Sequence, residues 1–231
     1  NAATAVIEIC SPPDPVNQSL TYTAAANTAL QLIDVDVTDN AANGITVNPN
    51  GFDFGVTFNT VGGPVSTVVS TVVGGAGIMV QGNGGDLSVT TVDFDLLTNT
   101  NNDQQNIISG DLFGIRVFNN TGDASVVIGA DKVTATAASG STFGVHAVGI
   151  GGDATITVNK GAEITASRYG VIAETSSGGT MTSNVAGKVT SLLGDGNSLL
   201  GAVSAASRGT STVVINLNDG ADVSTNAGAM Q

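Results

Sequence analysis

His146 is the only histidine in this chain of 231 residues, so any catalysis that uses a histidine base depends on it. A Ser–His–acid triad needs a histidine placed beside a nucleophile and an acid. His146 instead occupies one position of a repeated pattern, and no Cys lies near it in the sequence. The chain contains no G-x-S-x-G, H-E-x-x-H or phosphate-binding loop motif. We therefore expect no catalytic residue and a protein that is not an enzyme.

Acidic residues are the other candidates for chemistry. Two pairs, at 34 and 36 and at 93 and 95, place carboxylates on one strand face, and Asp86, Asp123 and Asp153 recur at one position of the repeat. Calcium takes six to eight oxygen ligands, and the G-G-x-G-x-D calcium-binding repeat is absent. Polysaccharide lyases pair such carboxylates with a basic residue, but the six basic residues are scattered. We predict turn caps and a solvated acidic face, with no metal and no cofactor.

The elements that carry these residues form one pattern written four times between 113 and 225. The openings are F-G-I-R-V (113–117), F-G-V-H-A (143–147), Y-G-V-I-A (169–173) and L-G-A-V-S (200–204). Each is followed by a turn, a second strand-like run and a third short segment, as in A-T-I-T-V (154–158) and A-E-I-T-A (162–166). The opening glycines are 30, 26 and 31 residues apart, which is typical of a repeat architecture.

Alternation of apolar and polar residues within each run predicts strands. One repeat cannot bury its inner face alone, so the repeats must stack. The sequence therefore predicts an all-β fold, a right-handed parallel β-helix with about three short strands per coil and coils of about 30 residues. Side chains expected to face inward include Ile115, Val145 and Val171. Those expected to face outward are Arg116, His146, Ile172 and Val203.

Composition limits the possible partners. The chain has 6 Lys and Arg against 19 Asp and Glu, a net charge of −13, so binding to nucleic acid or to anionic lipid is disfavoured. Aromatic residues are 4% of the chain, Trp is absent and Gly occurs 31 times, which favours a thin elongated core. Cys10 is the only cysteine, so no intramolecular disulfide can form. A chain with so little cysteine is compatible with export.

Three segments depart from the repeat. Residues 1–30, with the rigid S-P-P-D-P turn at 11–15, are predicted to be an N-terminal cap, and residues 31–231 to be the β-helix. The polar segment 96–106 is predicted to be a projecting loop. Because 227–231 resembles the opening of another coil, we expect coils to continue beyond the C-terminal end.

The openings and the runs G-G-D-A-T-I-T-V (151–158) and G-A-E-I-T-A-S (161–167) resemble the coils of bacterial autotransporter passenger domains of the β-helical adhesin type. The resemblance covers 113–231 well and 44–112 loosely. It implies a location outside the cell, either at the bacterial surface and anchored in the outer membrane or secreted. It also implies export through a C-terminal outer-membrane barrel that lies outside this segment.

The predicted function is adhesion or cell–cell aggregation through polar outward faces of the solenoid. The partners expected are a host glycan, a matrix protein, or identical molecules on other cells. The candidate adhesive residues are Asn99, Asn101, Asn102, Thr155, Thr157, Thr182, Asn184 and Thr212.

Three alternatives remain. The coils could be the stalk or scaffold of a larger secreted enzyme, or part of a surface-layer protein. The column Ser88, Ser125, Thr155, Thr182 and Thr212 could bind ice, although Val127, Asn184 and Val214 interrupt the adjoining column. The N-glycosylation pattern occurs at Asn17 and at Asn119, and two matches are expected by chance in a chain of this composition.

Overall fold

The computed structural model describes residues 5–10, 19–33, 35–39, 42–59, 67–92, 105–137, 142–176, 178–194, 201–207 and 209–227. These residues form 22 β-strands and no helix. The strands belong to three sheets, named A, B and C here.

Apart from β1, each sheet takes every third strand along the chain. Sheet A contains β1 (Ala5–Cys10), β3 (Thr28–Ile33), β6 (Phe54–Asn59), β9 (Leu87–Val92), β12 (Ala124–Ile128), β15 (Ala154–Val158), β18 (Thr180–Val185) and β21 (Thr212–Leu217). Sheet B contains β2 (Leu20–Thr23), β5 (Ile45–Asn48), β8 (Ala76–Gly82), β11 (Phe113–Asn119), β14 (Phe143–Gly149), β17 (Tyr169–Thr175) and β20 (Val203–Ser207). Sheet C contains β4 (Asp36–Asp39), β7 (Thr67–Ser70), β10 (Ile107–Gly110), β13 (Lys132–Ala135), β16 (Glu163–Ala166), β19 (Lys188–Gly194) and β22 (Asp222–Ala227).

Every strand pairs in parallel with its counterpart one coil away. In sheet B, Ile115 pairs with Val145, and Val145 pairs with Val171, so these coils are 30 and 26 residues long. One turn of the chain visits sheets B, A and C in order, which is a parallel β-helix with three strands per coil. The predicted fold class is therefore confirmed, including the extension of the coils before residue 113.

The core runs along the inside of the three sheets. Strands β12 and β15 alternate buried and half-buried residues, as the period of two requires. Ile115, Val145 and Val171 of sheet B are buried as predicted. The other two sheets contribute their own inward residues, such as Ile156 of sheet A and Ile164 of sheet C. Because each coil has a narrow interior, the column is built largely of Val, Ile and Ala rather than aromatic residues.

A column of glycines marks the corner at which the sheet B strands β5, β8, β11, β14 and β17 begin. A Cβ on Gly114 would lie 2.6 Å from the carbonyl oxygen of Gly144, and one on Gly144 would lie 2.5 Å from that of Gly170. A Cβ on Gly170 would meet the carbonyl oxygen of Ala202, not of Gly201, at 2.6 Å. The repeat alignment through Gly201 was therefore wrong by one residue.

This shift also corrects the prediction for Val203. Val203 pairs with Val171 and packs against the core, whereas Ser204 takes the outward position beside Ile172. In the earlier coils the tight contact at the corner is made with the next coil along the solenoid. Ala202 fits at its corner because β20 is the last strand of sheet B among the described residues.

The two ends of the described solenoid differ from its middle. β1 and β2, from the segment expected to be a cap, extend sheets A and B as their first strands. At the other end, Val213, Ile215 and Leu217 continue the inward column of β18 but are 44–60% exposed.

Candidate functional site on the outer face of sheet A

The outer face of sheet A carries two adjoining columns of small polar side chains. In the first, Ser88, Ser125, Thr155 and Thr182 stand one above the other on β9, β12, β15 and β18. All four are half-buried, with their backbones fixed in the ladder. Parallel strands lie about 4.8 Å apart, so this column presents regularly spaced hydroxyl groups to solvent.

The second column is mixed rather than uniform. It contains Thr90, Val127, Thr157, Asn184 and Asn216 in successive coils. The Asn216 amide Nδ2 donates a 2.7 Å hydrogen bond to Asn184 Oδ1. Val127 interrupts the hydroxyl groups, as the sequence indicated. We name the two columns together the sheet A polar face.

One candidate residue falls outside this alignment. Thr212 pairs with Thr180, and Val214 rather than Thr212 follows Thr182 in the first column. The expected run through Thr212 was therefore displaced by two residues. Thr212 is exposed on the last strand of sheet A, at the edge of the polar face rather than in its centre.

The predicted loop at 96–106 is only partly described. Asn99, Asn101 and Asn102 lie outside the described residues. Its last two residues are structural: Gln105 Nε2 donates to the carbonyl oxygen of Gly161 at 2.9 Å, and buried Asn106 donates through its backbone N–H and its Nδ2 to Asp131 Oδ1.

The recurring aspartates form a ladder of turn caps beside the polar face. Oδ1 of Asp53 accepts the backbone N–H of Asp86 at 2.9 Å, and Asp86 and Asp123 do the same for the next aspartate at 3.3 and 2.8 Å. Asp153 accepts the N–H of Thr180 at 2.7 Å. Each carboxylate therefore joins one coil to the next, in agreement with the turn-cap interpretation.

Asp86, Asp123 and Asp153 also line a shallow groove of about 380 Å³ with Ser88, Ser125 and Thr155. One oxygen of each carboxylate is committed to a backbone N–H, which leaves few oxygens for a cation. Among the residues that the structure describes, no group of three or more His, Cys, Asp and Glu side chains is placed to hold a metal ion.

His146 lies on the outer face of sheet B, as predicted, but it is not exposed. It retains 6% exposure because its ring stacks on Phe113 and Phe143, with ring centroids 5.6 and 4.8 Å away. Its Nε2 lies 3.5 Å from Oε2 of Glu174. Among the described residues, neither ring nitrogen has a hydrogen-bond partner.

Arg116 covers the neighbouring part of the same face. Its guanidinium lies 4.7 Å from the ring centre of Phe113 and 5.0 Å from that of Phe118, which is cation–π geometry. Burial lowers the pKa of Arg116 from its ordinary value, and the negative charge of Glu174 partly opposes this effect. Outward position in the sequence pattern therefore did not imply exposure, since large neighbours on the same face cover one another.

A groove of about 360 Å³ opens beside this cluster. Phe118, Val148 and Ile150 line it, with Glu174, Thr175 and Ser176 at its polar side. The hydroxyl groups of Thr175 and Ser176 donate to the carbonyl oxygens of Gly152 and Ile150. These donors hold one coil to another, so the polar groups of the groove serve the fold.

Asn119 is a structural residue, a role that the sequence pattern did not indicate. It is 0% exposed, and its Nδ2 donates to the carbonyl oxygens of Gly85 and Asp123 at 2.6 and 2.8 Å. Its Oδ1 accepts from the N–H groups of Gly84 and Thr121. The N-glycosylation pattern at this position therefore falls on a buried side chain whose Nδ2 already donates two hydrogen bonds.

No helix in the described part of the chain is long and apolar enough to cross a membrane. Comparison of the chain with protein-family models, with curated proteins and with solved structures finds no match.

Proposed function

We propose that this chain is a non-enzymatic β-helix displayed outside a bacterial cell, where it mediates adhesion or cell–cell aggregation through the sheet A polar face. The observation that supports the proposal is the alignment of Ser88, Ser125, Thr155 and Thr182 beside Thr157 and Asn184. These side chains are half-exposed on strands whose backbone is already fully committed to the ladder.

A rigid array of this kind suits a partner with many hydroxyl or amide groups. Each hydroxyl both donates and accepts, and one hydrogen bond exchanged with water is worth only about 0.5–1.5 kcal/mol. Binding strength must therefore come from repetition along the face. A host glycan, a matrix protein or a second copy on another cell can supply repeated polar groups at this spacing.

The resemblance of the coils to autotransporter passengers supports a location at the bacterial surface, anchored in the outer membrane, or in the medium after secretion. The enclosed, ring-stacked His146 supports the view that the described coils do not act as an enzyme. The alternative is that these coils are a stalk or scaffold for a larger secreted enzyme or a surface-layer protein. The continuous pairing of each coil to the next, which makes a stiff rod, favours that alternative.

The test is to display the chain on a non-adherent bacterium and to measure clumping and attachment to glycan- and matrix-coated surfaces. The first variant is Thr155→Lys with Thr182→Glu, two adjacent positions of the polar face. It adds bulk without changing the net charge, and the opposite charges pair across the two strands. We expect it to abolish attachment while the fold is retained.

The control is Lys132→Glu with Asp222→Lys, which exchanges two exposed opposite charges on the outer face of sheet C, keeps the net charge and leaves sheet A unchanged. Attachment lost in the first variant and kept in the control supports the sheet A face. Attachment kept in the first variant contradicts it. If the displayed chain neither clumps nor attaches to any surface, the stalk interpretation is favoured.

A further inference from the structure

The outer face of sheet C carries a column in which the charge alternates from coil to coil. Lys132, Glu163, Lys188 and Asp222 are paired one above the other on β13, β16, β19 and β22. Nζ of Lys132 lies 3.6 Å from Oε2 of Glu163, and both side chains are about two-fifths exposed. Lys188 and Asp222 are also exposed.

This four-residue stretch is neutral on a molecule whose net charge is −13, and the same column continues through Ile107 and Thr67 to Asp36. It holds two of the six basic residues of the chain, with a balancing acid for each. Two copies of an acidic protein repel each other at most orientations. Repulsion is smallest, and attraction possible, where the facing surfaces are neutral and their charges can be matched.

The order of the charges is self-complementary when reversed. Read from Lys132 the column is plus, minus, plus, minus, and read from Asp222 it is minus, plus, minus, plus. A two-fold axis between β16 and β19 therefore sets Lys132 against the Asp222 of a second copy and Glu163 against its Lys188. A parallel arrangement in register sets like charges together, and a parallel shift of one strand leaves a charge unpaired at each end.

We propose that the outer face of sheet C docks against the same face of a second copy of this chain in antiparallel orientation. An isologous contact of this kind is the commonest arrangement of homodimers. The neighbouring outward column is compatible with it, since Thr134, Thr165, Thr190 and Ser224 carry hydroxyl groups that donate and accept in either direction. The inference concerns a different face from the sheet A polar face and does not rest on the proposed adhesive function.

The contact is weak and sensitive to salt. Exposed ion pairs contribute about 0.2–1 kcal/mol each, and the two-fold axis generates four of them. Ionic strength shortens the range of such interactions. Association is therefore expected in low salt at high protein concentration and is expected to be lost in high salt.

Two variants of unchanged net charge separate docking from effects within one chain. Lys132→Glu with Glu163→Lys leaves two of the three neighbouring pairs within the column oppositely charged. Across the two-fold axis, however, it sets like charges of the two copies against each other. Lys132→Glu with Asp222→Lys keeps only one opposite-charge pair within the column, yet every contact across the two-fold axis remains between opposite charges.

The measurement is sedimentation equilibrium of the whole chain in low and high salt, with reducing agent present so that Cys10 cannot crosslink. We expect the first variant to weaken association by about tenfold or more and the second to associate like the unchanged chain. A monomer at all concentrations, association that persists in high salt, or equal behaviour of the two variants would overturn the proposal.

Discussion

Gly144→Ala provides the sharpest test of how the coils stack. The added Cβ would lie 2.5 Å from the carbonyl oxygen of Gly170 and 2.5 Å from Cγ2 of Ile164. A carbon in contact with a carbonyl oxygen normally lies about 3.3–3.6 Å away, so the methyl group must be displaced by nearly 1 Å. Gly170 cannot retreat independently, because its flanking residues are hydrogen bonded within the parallel ladder.

The expected cost follows from these contacts. Overpacking in a dense core costs about 1–3 kcal/mol, and a contact with backbone places this variant at the upper end. Replacing Gly by Ala restricts the unfolded chain and returns about 0.4–1 kcal/mol. The net loss of stability is therefore about 2 kcal/mol, which corresponds to a decrease in Tm of about 4–8 °C for a chain of this length.

Gly201→Ala is the matched control. Gly201 stands at the same position of the sequence repeat, but the nearest atoms to its Cβ would be 3.7 and 3.9 Å away. Alanine at this position is expected to leave stability unchanged or to raise it by up to about 1 kcal/mol.

Urea unfolding followed by far-ultraviolet circular dichroism gives the free energy of unfolding of both variants. Equal destabilisation by the two alanines would contradict the open surroundings of Gly201. An unchanged Gly144→Ala would refute the close stacking of the glycine column.

Substitutions at three further residues test the contacts that these side chains make. Asn119→Ala removes four hydrogen bonds from a buried turn and is expected to cost about 2–3 kcal/mol; a loss below 0.5 kcal/mol by urea unfolding would contradict the burial of this amide. Asp123→Ala removes the acceptor of the Asp153 N–H and is expected to lower the free energy of unfolding by about 1 kcal/mol. Asp123→Asn keeps an acceptor oxygen, so urea unfolding is expected to show almost no change in stability. Phe143→Ala removes the middle ring of the stack between Phe113 and Tyr169, with centroids 5.1 and 5.0 Å away. Because Phe143 is half-buried and makes two ring contacts, the change is expected to cost about 1–3 kcal/mol and to reduce the near-ultraviolet dichroism; an unchanged aromatic signal would show that the rings do not interact.

Particular residues show how far the sequence reaches. The recurrence of F-G-I-R-V, F-G-V-H-A and Y-G-V-I-A predicts the stacking of β11, β14 and β17, and the observed register joins the same residues. The aspartates that open each second run were predicted to be turn caps, and they are. Both predictions rest on the recurrence of the same residue types at the same place in successive repeats, since stacking brings those places together even though they are about 30 residues apart.

The candidate site is predicted less completely. Thr155, Thr157, Thr182 and Asn184 lie together on sheet A as the repeat indicates. The register of the last coil is different, since a change of one or two residues at the corner moves Val203 and Thr212 to other columns. Sequence similarity could not decide this, because the corner needs a small residue and both Gly201 and Ala202 are small.

The sequence by itself determined the period of the coils, because similar residues recur about every 30 positions. It also determined the strand character, the inward column and the polar nature of the outer face of sheet A, since each of these depends on the alternation of side chains along the strand. Only the tertiary structure decided which residue follows which in the last coil. It also decided that the outward His146 is enclosed by Phe113 and Phe143, that Asn119 is buried and that four charges alternate on sheet C. These features depend on contacts between residues about 30 positions apart, which only the stacking of complete coils brings together.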